Sequence, residues 1–144
     1  LSLHDALPIF ASLAFNYIAD WDKGLREIKR VLKKGGDFIF SQTNPTYEVG
    51  KKEKVNGKMV RIIGDYFKEG KIRGIYEKIG DKEIQLWNYH RTYETIIKTL
   101  IKNGFEIIDY KDAFPKKGSK KLFPKEHELS SKVPNFCVWK VRKR

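Results

Sequence analysis

The sequence predicts an α/β fold whose sheet is mostly parallel and whose last strand runs antiparallel. Three observations support this fold class. Residues 10–40 hold an apolar segment, a helix-periodic segment and a second apolar segment, and residues 92–110 hold a further helix-periodic segment followed by an apolar one. A helix between two strands favours a parallel pair. The long polar connection of residues 113–133 instead permits an antiparallel final strand.

The first unit begins at residues 10–18, which are apolar enough for the end of a buried strand and the turn after it. Asp20 or Asp22 can cap the next helix, because a carboxylate accepts the free N–H groups of a first turn. One face of this helix should be buried, and it consists of Trp21, Leu25, Ile28 and Leu32. We expect Gly35-Gly36 to end the helix, since glycine adopts the left-handed backbone of a helix cap at little cost. Residues 38–40 should follow as a strand covered on both faces.

The middle of the chain predicts a polar segment followed by a hairpin. Residues 43–70 are rich in Lys and lack a clear period, so we expect loop and irregular structure there. Residues 71–89 indicate two strands around Gly80-Asp81, a dipeptide typical of hairpin turns. Residues 46–89 thus form an insertion between a sheet strand and the next helix.

The last third predicts one helix and two strands. Thr92 is the expected cap of a helix that ends at Gly104. The apolar residues of this helix fall at helical spacing, and they are Tyr93, Ile96, Ile97, Leu100 and Ile101. Residues 105–110 and 135–141 should form strands, joined by the basic, turn-rich connection of residues 113–133.

The composition allows one domain and leaves a nucleic-acid role open. The 144 residues carry a formal net charge of +12, and clustered cations would neutralise phosphates. However, the cations are mostly Lys, spread over every segment, and Arg, which suits bidentate contacts to phosphate or guanine, is scarce. We therefore favour a solvated basic surface, and we expect no nucleic-acid partner.

Cysteine content and hydropathy further limit the classes of protein to which this chain could belong. The single Cys137 excludes an internal disulfide framework and fits a reducing compartment, so we expect a cytoplasmic protein. No apolar run reaches the roughly 18 residues that a membrane helix needs. The three His residues and the one Cys show no metal-ligand spacing, so no metal site is expected.

The first nine residues, LSLHDALPI, resemble the translation of a common short-read sequencing adapter. We expect them to be an artefact and exclude them from the fold, as a processing segment would be excluded. On this interpretation, residues 10–144 are the C-terminal part of one domain.

Several segments, in chain order, resemble class I S-adenosylmethionine (SAM)-dependent methyltransferases of the type 11 group. Lys34 stands where proline is usual in the family, which is a mild departure at a helix end. The similar segments cover the chain from about Phe10 onwards; they are residues 14–18 with Asp20-Trp21, residues 27–41 (EIKRVLKKGGDFIFS), His90-Arg91-Thr92, Asn103-Gly104-Phe105 and Pro134-Asn135-Phe136.

The resemblance implies a Rossmann-like fold and methyl transfer from SAM to a small-molecule acceptor. It implies SAM contacts at Ser12, Leu13 and Ala14. The alternative is that these are ordinary strand and loop residues without contact to SAM. The glycine-rich loop and the ribose-binding acid of the family are not in this sequence, and Gly35-Gly36 cannot replace them because they follow a helix. We therefore expect the chain itself to be inactive and to bind no SAM.

The resemblance also directs attention to the insertion of residues 46–89, which in the family tends to cover the acceptor as a lid. Tyr47 and Trp87 are candidate acceptor-binding residues, and the alternative is that they form the small core of the hairpin. Tyr47 belongs to Asn44-Pro45-Thr46-Tyr47, which predicts a turn or one wall of the acceptor site.

His90 and Arg91 are the remaining candidates. His90 can accept a proton near neutral pH and lies where the hairpin meets a helix, so it is the candidate catalytic residue. Arg91 could bind an anionic acceptor group. The alternative is structural, with His90 packed under the lid and Arg91 in an ion pair. Two other functions stay open for the whole chain, a nucleic-acid-binding module and a non-catalytic methyltransferase-like interaction domain.

Overall fold

The computed structural model describes residues 8–144, and for residues 75–77 it describes the backbone alone. The adapter-like segment thus lies outside the described residues, except for Pro8 and Ile9. In chain order the elements are β1 (Ile9–Ser12), a 3-10 helix (Phe15–Tyr17), α1 (Trp21–Val31), β2 (Asp37–Thr43), α2 (Pro45–Glu48), β3 (Gly50–Val55), β4 (Lys58–Ile63), β5 (Gly70–Ile79), β6 (Lys82–His90), α3 (Tyr93–Lys102), β7 (Phe105–Asp112), α4 (Ser119–Leu122), α5 (Pro124–Ser130) and β8 (Phe136–Lys143).

Four of the eight described strands form the central sheet, in the order β1-β2-β8-β7. Strand β1 runs parallel to β2, whereas β8 lies antiparallel to both β2 and β7. The predicted α/β class and the antiparallel last strand are therefore confirmed.

The two long helices lie at the predicted positions. Asp20 caps α1, with its carboxylate accepting the N–H of Lys23 at 2.9 Å. Helix α1 ends at Val31, before the predicted Gly35-Gly36 stop, and Gly35 (φ 73°) instead lies in the tight turn that leads into β2. Thr92 caps α3 as predicted, and Gly104 (φ 78°) follows its C-terminal end.

The core lies on one face of the sheet. Strand β2 alternates, with Phe38 and Phe40 buried and Ile39 only partly covered, so the prediction of a strand buried on both faces was wrong. On this face the sheet packs against the apolar stripes of α1 and α3. The buried side chains of this core cluster are Phe15, Trp21, Leu25, Leu32, Phe38, Phe40, Ile96, Leu100, Phe105, Cys137, Trp139 and Val141.

The insertion between β2 and α3 consists of the short helix α2 and two hairpins, β3–β4 and β5–β6. The β5–β6 hairpin with its turn at Gly80-Asp81 is confirmed. The prediction of irregular structure over residues 43–70 was wrong, because β3 and β4 pair there. Asn56 (φ 48°) and Gly57 (φ 79°) form their turn, with the positive φ values that such a two-residue turn requires.

The connection between β7 and β8 contains the two short helices α4 and α5, where the sequence predicts only turns and loop. Neither helix has a buried residue. No helix within the described part of the chain is long and apolar enough to cross a membrane.

Candidate functional site

The carboxyl end of β1 carries the three positions expected to contact SAM. Ser12, Leu13 and Ala14 are all exposed. Leu13 has a positive φ of 49°, and its N–H lies 3.0 Å from the carbonyl oxygen and 3.2 Å from Oγ of Ser41 on β2. The Ser41 hydroxyl in turn donates to Oγ of Ser12 at 3.3 Å. These contacts fix the chain as it leaves the sheet, at the edge where open α/β sheets bind ligands.

A cavity of about 450 Å³ opens beside this edge, and we call it the strand-end cavity. This volume lies within the usual range of small-molecule sites. It lies between the ends of the sheet strands, α2 and the two hairpins. Its lining residues are Leu13, Asn16, Tyr17, Thr43, Tyr47, Glu48, Gly50, Lys52, Arg61, Ile72, Arg73, Gly74, Asn88 and Phe136.

A second cavity of about 560 Å³ adjoins it, which we call the hairpin cavity. Four residues line both cavities, and they are Glu48, Gly50, Ile72 and Arg73. The other lining residues of the hairpin cavity are Val49, Lys51, Glu53, Ile62, Gly64, Asp65, Lys68, Glu69 and Lys71.

His90 lies at the end of β6, fully buried behind this region. Its Nε2 donates to the carbonyl oxygen of Tyr66 at 2.8 Å, and its Nδ1 lies 3.2 Å from Oε2 of Glu48. Because both partners are acceptors, the arrangement suits a protonated ring that donates from both nitrogens. Burial alone would lower the pKa of His90, but the Glu48 carboxylate and the Tyr66 carbonyl raise it above its usual value of 6.5.

Glu48 connects His90 to the strand ends. Its side chain is only 4% exposed, and its Oε1 accepts a hydrogen bond from Nδ2 of Asn16 at 2.6 Å. The amide oxygen of Asn16 accepts the N–H of Thr43 at 3.2 Å, at the end of β2. A continuous polar chain therefore runs from the end of β2 through Asn16 and Glu48 to His90.

Arg91 is occupied by backbone carbonyl groups. Its Nη2 donates to the carbonyl oxygens of Ile18 and Ala19, both at 2.7 Å, and its Nη1 donates to that of Tyr89 at 3.1 Å. Its guanidinium group lies 4.8 Å from the ring centre of Trp21. These contacts fix the segment before α1 against the end of β6. Among the residues that the structure describes, Arg91 has no ion pair of the kind that the structural alternative expects.

Tyr47, the first candidate acceptor-binding residue, lies on the wall of the strand-end cavity. Asn44 caps α2 by accepting the N–H of Thr46 at 3.1 Å, which holds Tyr47 at the cavity. The guanidinium group of Arg61 lies 3.6 Å above the Tyr47 ring. Trp87 lies apart from this wall, 44% exposed on the β5–β6 hairpin, with Nζ of Lys71 4.3 Å from its ring centre.

The structure thus brings Leu13 and Tyr47 to one cavity and places His90 directly behind it. The sequence gives no indication of Asn16, Glu48 and Arg61, which complete the site. Glu48 and His90 are 42 residues apart along the chain, and no local pattern predicts that pairing. Among the described residues, no group of acidic, His and Cys side chains is close enough to hold a metal ion.

The site is large enough for a small molecule, and its chemistry is that of binding and orientation. It offers aromatic surface, fixed cations and one carboxylate whose two oxygens are both engaged. None of these groups is arranged as a nucleophile with its own base. The arrangement therefore suits a reaction in which another molecule supplies the reactive group.

Comparison with known proteins agrees with this geometry. Residues 8–40 match the family described as methyltransferase domain. No curated protein matches the sequence.

Solved structures share the fold over nearly the whole chain. An S-adenosylmethionine-dependent methyltransferase from Mesorhizobium loti superposes with a TM-score of 0.74 at 23% identity, covering 99% of this chain and 67% of that one. A protein from Listeria monocytogenes, described as an S-adenosylmethionine-dependent methyltransferase, gives 0.76 at 25% identity, with 98% and 62% covered. The glycopeptide N-methyltransferase MtfA in complex with SAM gives 0.50 at 14% identity, with 95% and 57% covered.

The chain thus spans about two thirds of the length of the first two proteins, 67% and 62%. The family match covers β1, α1 and the first part of β2, and the shared fold extends over nearly the whole chain. This chain therefore shares the fold of SAM-dependent methyltransferases, and its first unit matches a methyltransferase domain.

Proposed function

We propose that this chain is the C-terminal part of an enzyme that transfers a methyl group from SAM to a small molecule. One observation carries the proposal: Leu13, a position of expected SAM contact, lines the same 450 Å³ cavity as Tyr47 and Glu48. A methyl donor at the strand ends and an acceptor in the cavity would then be neighbours.

The residues at the end of β1 fit one side of a bound SAM molecule. Ser12, Leu13 and Ala14 are all exposed, so the strand end is accessible to a ligand. SAM, when bound, supplies an electrophilic methyl group on a sulfonium sulfur. The chain's own residues bind the acceptor, orient it and limit water, which is most of what such a transfer requires of a protein.

Removal of a proton from the acceptor is the one step that could need a side chain as a general base. His90 remains our proposed catalytic residue, but it has no exposed surface. It could accept a proton only in its neutral form, with Nδ1 unprotonated, and the proton would have to reach Nδ1 through Glu48, which lines the cavity and lies 3.2 Å from His90. Arg91 and Trp87, proposed as acceptor-binding residues, would act by supporting the cavity walls.

The proposal includes a missing part of the domain. The chain spans 67% and 62% of two structurally similar proteins. The family resemblance implies a glycine-rich loop and a ribose-binding acid that this sequence does not contain. We propose that residues 10–144 form one part of the domain, with the insertion of residues 46–89 as its lid. In keeping with the single buried thiol of Cys137, we propose a cytoplasmic location.

Calorimetric titration with SAM tests this proposal. The chain alone should bind no SAM, whereas the longer gene product that contains the glycine-rich loop should bind it. In the longer protein, Ala14→Phe should weaken SAM binding at least roughly tenfold, because its ring would occupy the space at the strand end. Ala19→Phe is the matched control, an exposed alanine of the same loop.

Two outcomes would contradict the proposal in different ways. Micromolar SAM binding by the chain alone would show that the cofactor site needs no further segment. Failure of the longer protein to bind SAM would remove the enzyme and favour a non-catalytic interaction domain.

A further inference from the structure

We propose that the methyl acceptor carries an anionic group, and that Lys52 and Arg61 bind this group in the strand-end cavity. That the bound molecule is a methyl acceptor rests on the proposed function. The binding of an anion is inferred independently of that function. It is supported by the charges of the cavity walls, the register of the β3–β4 hairpin and the geometry of Arg61.

The two adjoining cavities differ in charge. Among the described residues that line only the strand-end cavity, Lys52 and Arg61 are cations and none is acidic. The described residues that line only the hairpin cavity include cations and acids in equal number, Lys51, Lys68 and Lys71 with Glu53, Asp65 and Glu69. Only the strand-end cavity therefore has an excess of positive charge.

The acidic residue shared by both cavities does not neutralise this excess. Glu48 accepts from Asn16 with one oxygen and faces His90 with the other. Both oxygens of Glu48 are thus engaged, and its charge is balanced by His90.

The register of the β3–β4 hairpin places the two cations together. Lys52 and Arg61 are direct partners across the antiparallel pair. Like charges directly opposite one another in a sheet destabilise the pairing. An anion bound between them would convert this repulsion into attraction for both side chains.

Arg61 is held in place for such contact. Its Nη1 donates to the carbonyl oxygens of Tyr47 at 3.1 Å and Gly50 at 2.7 Å. A Cβ atom on Gly50 would lie 2.7 Å from Cγ and Cδ of Arg61, so only glycine leaves room for this side chain. Both of these bonds come from Nη1. A guanidinium group has five N–H donors, so the donors on Nη2 and Nε take no part in these two bonds.

The other walls suit an apolar body attached to the anionic group. Leu13, Tyr17, Tyr47 and Phe136 line the same cavity. Aromatic and aliphatic walls with a few fixed polar groups are typical of small-molecule sites. The ligand class is therefore a small apolar or aromatic molecule with a carboxylate or phosphate group.

Titration of the ¹⁵N-labelled full chain with benzoate, and separately with inorganic phosphate, tests this inference by NMR. Benzoate should shift the amide signals around Lys52 and Arg61 and the Arg61 Nε–H signal in a saturable way. Benzamide, which has nearly the same shape without the charge, should not saturate. Lys52→Gln should weaken benzoate binding roughly three- to fivefold, the effect of one charged contact at a partly exposed site.

Lys51→Gln is the matched control, since Lys51 immediately precedes Lys52 in β3 but lines only the hairpin cavity. It should leave benzoate binding unchanged. Arg61→Lys keeps the charge but lacks the planar fork, and it should weaken binding as well.

The inference is overturned if neither benzoate nor phosphate binds, if benzamide binds equally well, or if Lys51→Gln has the effect expected of Lys52→Gln. SAM takes no part in this titration. Absence of anion binding would therefore not contradict the proposed methyl transfer, and absence of SAM binding by the longer protein would not contradict the anion site.

Discussion

At the level of single residues, the Glu48 carboxylate connects the insertion to the sheet. A buried carboxylate is costly unless N–H groups satisfy it, and Asn16 and His90 supply them. His90 also fixes the loop before β5 by donating to the carbonyl oxygen of Tyr66. A change at His90 should therefore affect the stability of the whole insertion.

We expect His90→Gln to lower the free energy of unfolding by about 3 kcal/mol, because the amide cannot donate to Glu48 and Tyr66 together. Urea denaturation at pH 6 measures this loss. Lys98→Gln serves as the control, since Lys98 pairs with Glu94 on the surface and should contribute almost nothing. A loss at His90 no larger than that at Lys98 would show that the buried pair does not stabilise the fold.

The same pair predicts a pH dependence. The pKa of His90 is raised above 6.5 in the folded chain, so the folded state holds its proton more tightly than the unfolded state. The stabilisation is therefore complete below pH 6.5 and is lost as the pH rises through the raised pKa. Urea denaturation between pH 6 and pH 9 should show this decline in the wild type and not in His90→Gln. Equal slopes in both proteins would assign the decline to other groups.

The sequence could identify His90 as a residue of interest but not its role. The type of side chain and its place between a hairpin and a helix are local features. Its contacts come from Glu48 and Tyr66, which are far from His90 along the chain, so no local sequence pattern predicts them. Arg91 is similar, since its three acceptors are backbone carbonyl groups that a sequence does not distinguish.

At the level of elements, the sequence predicts best where one face of an element is buried. Helix α1, helix α3 and strand β7 have apolar residues at regular spacing, and each is found where expected. The β3–β4 hairpin lacks that signal, since β3 is polar and mostly exposed and the apolar residues of β4 do not alternate with polar ones. Asn56-Gly57 is a strong turn signal that could have indicated the hairpin.

We expect Gly57→Ala to loosen this hairpin without unfolding the chain. Gly57 has a φ of 79°, and a Cβ there would meet no atom within 4 Å, so the penalty of about 1 kcal/mol comes from backbone strain alone. Hydrogen exchange should become faster at the amides of β3 and β4 and stay unchanged in the central sheet.

Gly118→Ala is the matched control, because Gly118 also has free space around it but an ordinary φ of −65°. Its exchange rates should equal those of the wild type. Unchanged exchange in Gly57→Ala would mean that the hairpin does not depend on its turn.

At the level of the whole molecule, the described sheet has one covered face and one poorly covered face. Its fully buried apolar side chains all lie on the face that packs against α1 and α3. Phe10 and its partner Ile39 lie on the opposite face, and Phe10 is 69% exposed. Among the described strands, β1 pairs only with β2, so its other edge is also open. Open edges and exposed apolar surface favour association.

We therefore expect the chain to bind the apolar dye ANS and to associate as its concentration rises. Phe10→Ser should reduce both dye binding and association roughly twofold, because Phe10 is the most exposed large apolar side chain of the sheet. The free energy of unfolding should stay unchanged, since little of Phe10 is buried. Phe114→Ser is the control, because Phe114 is 72% exposed but lies on the β7–β8 connection. In the longer protein, where the proposed missing part would cover this face, Phe10→Ser should instead lower stability, and an unaltered stability there would contradict a shared sheet.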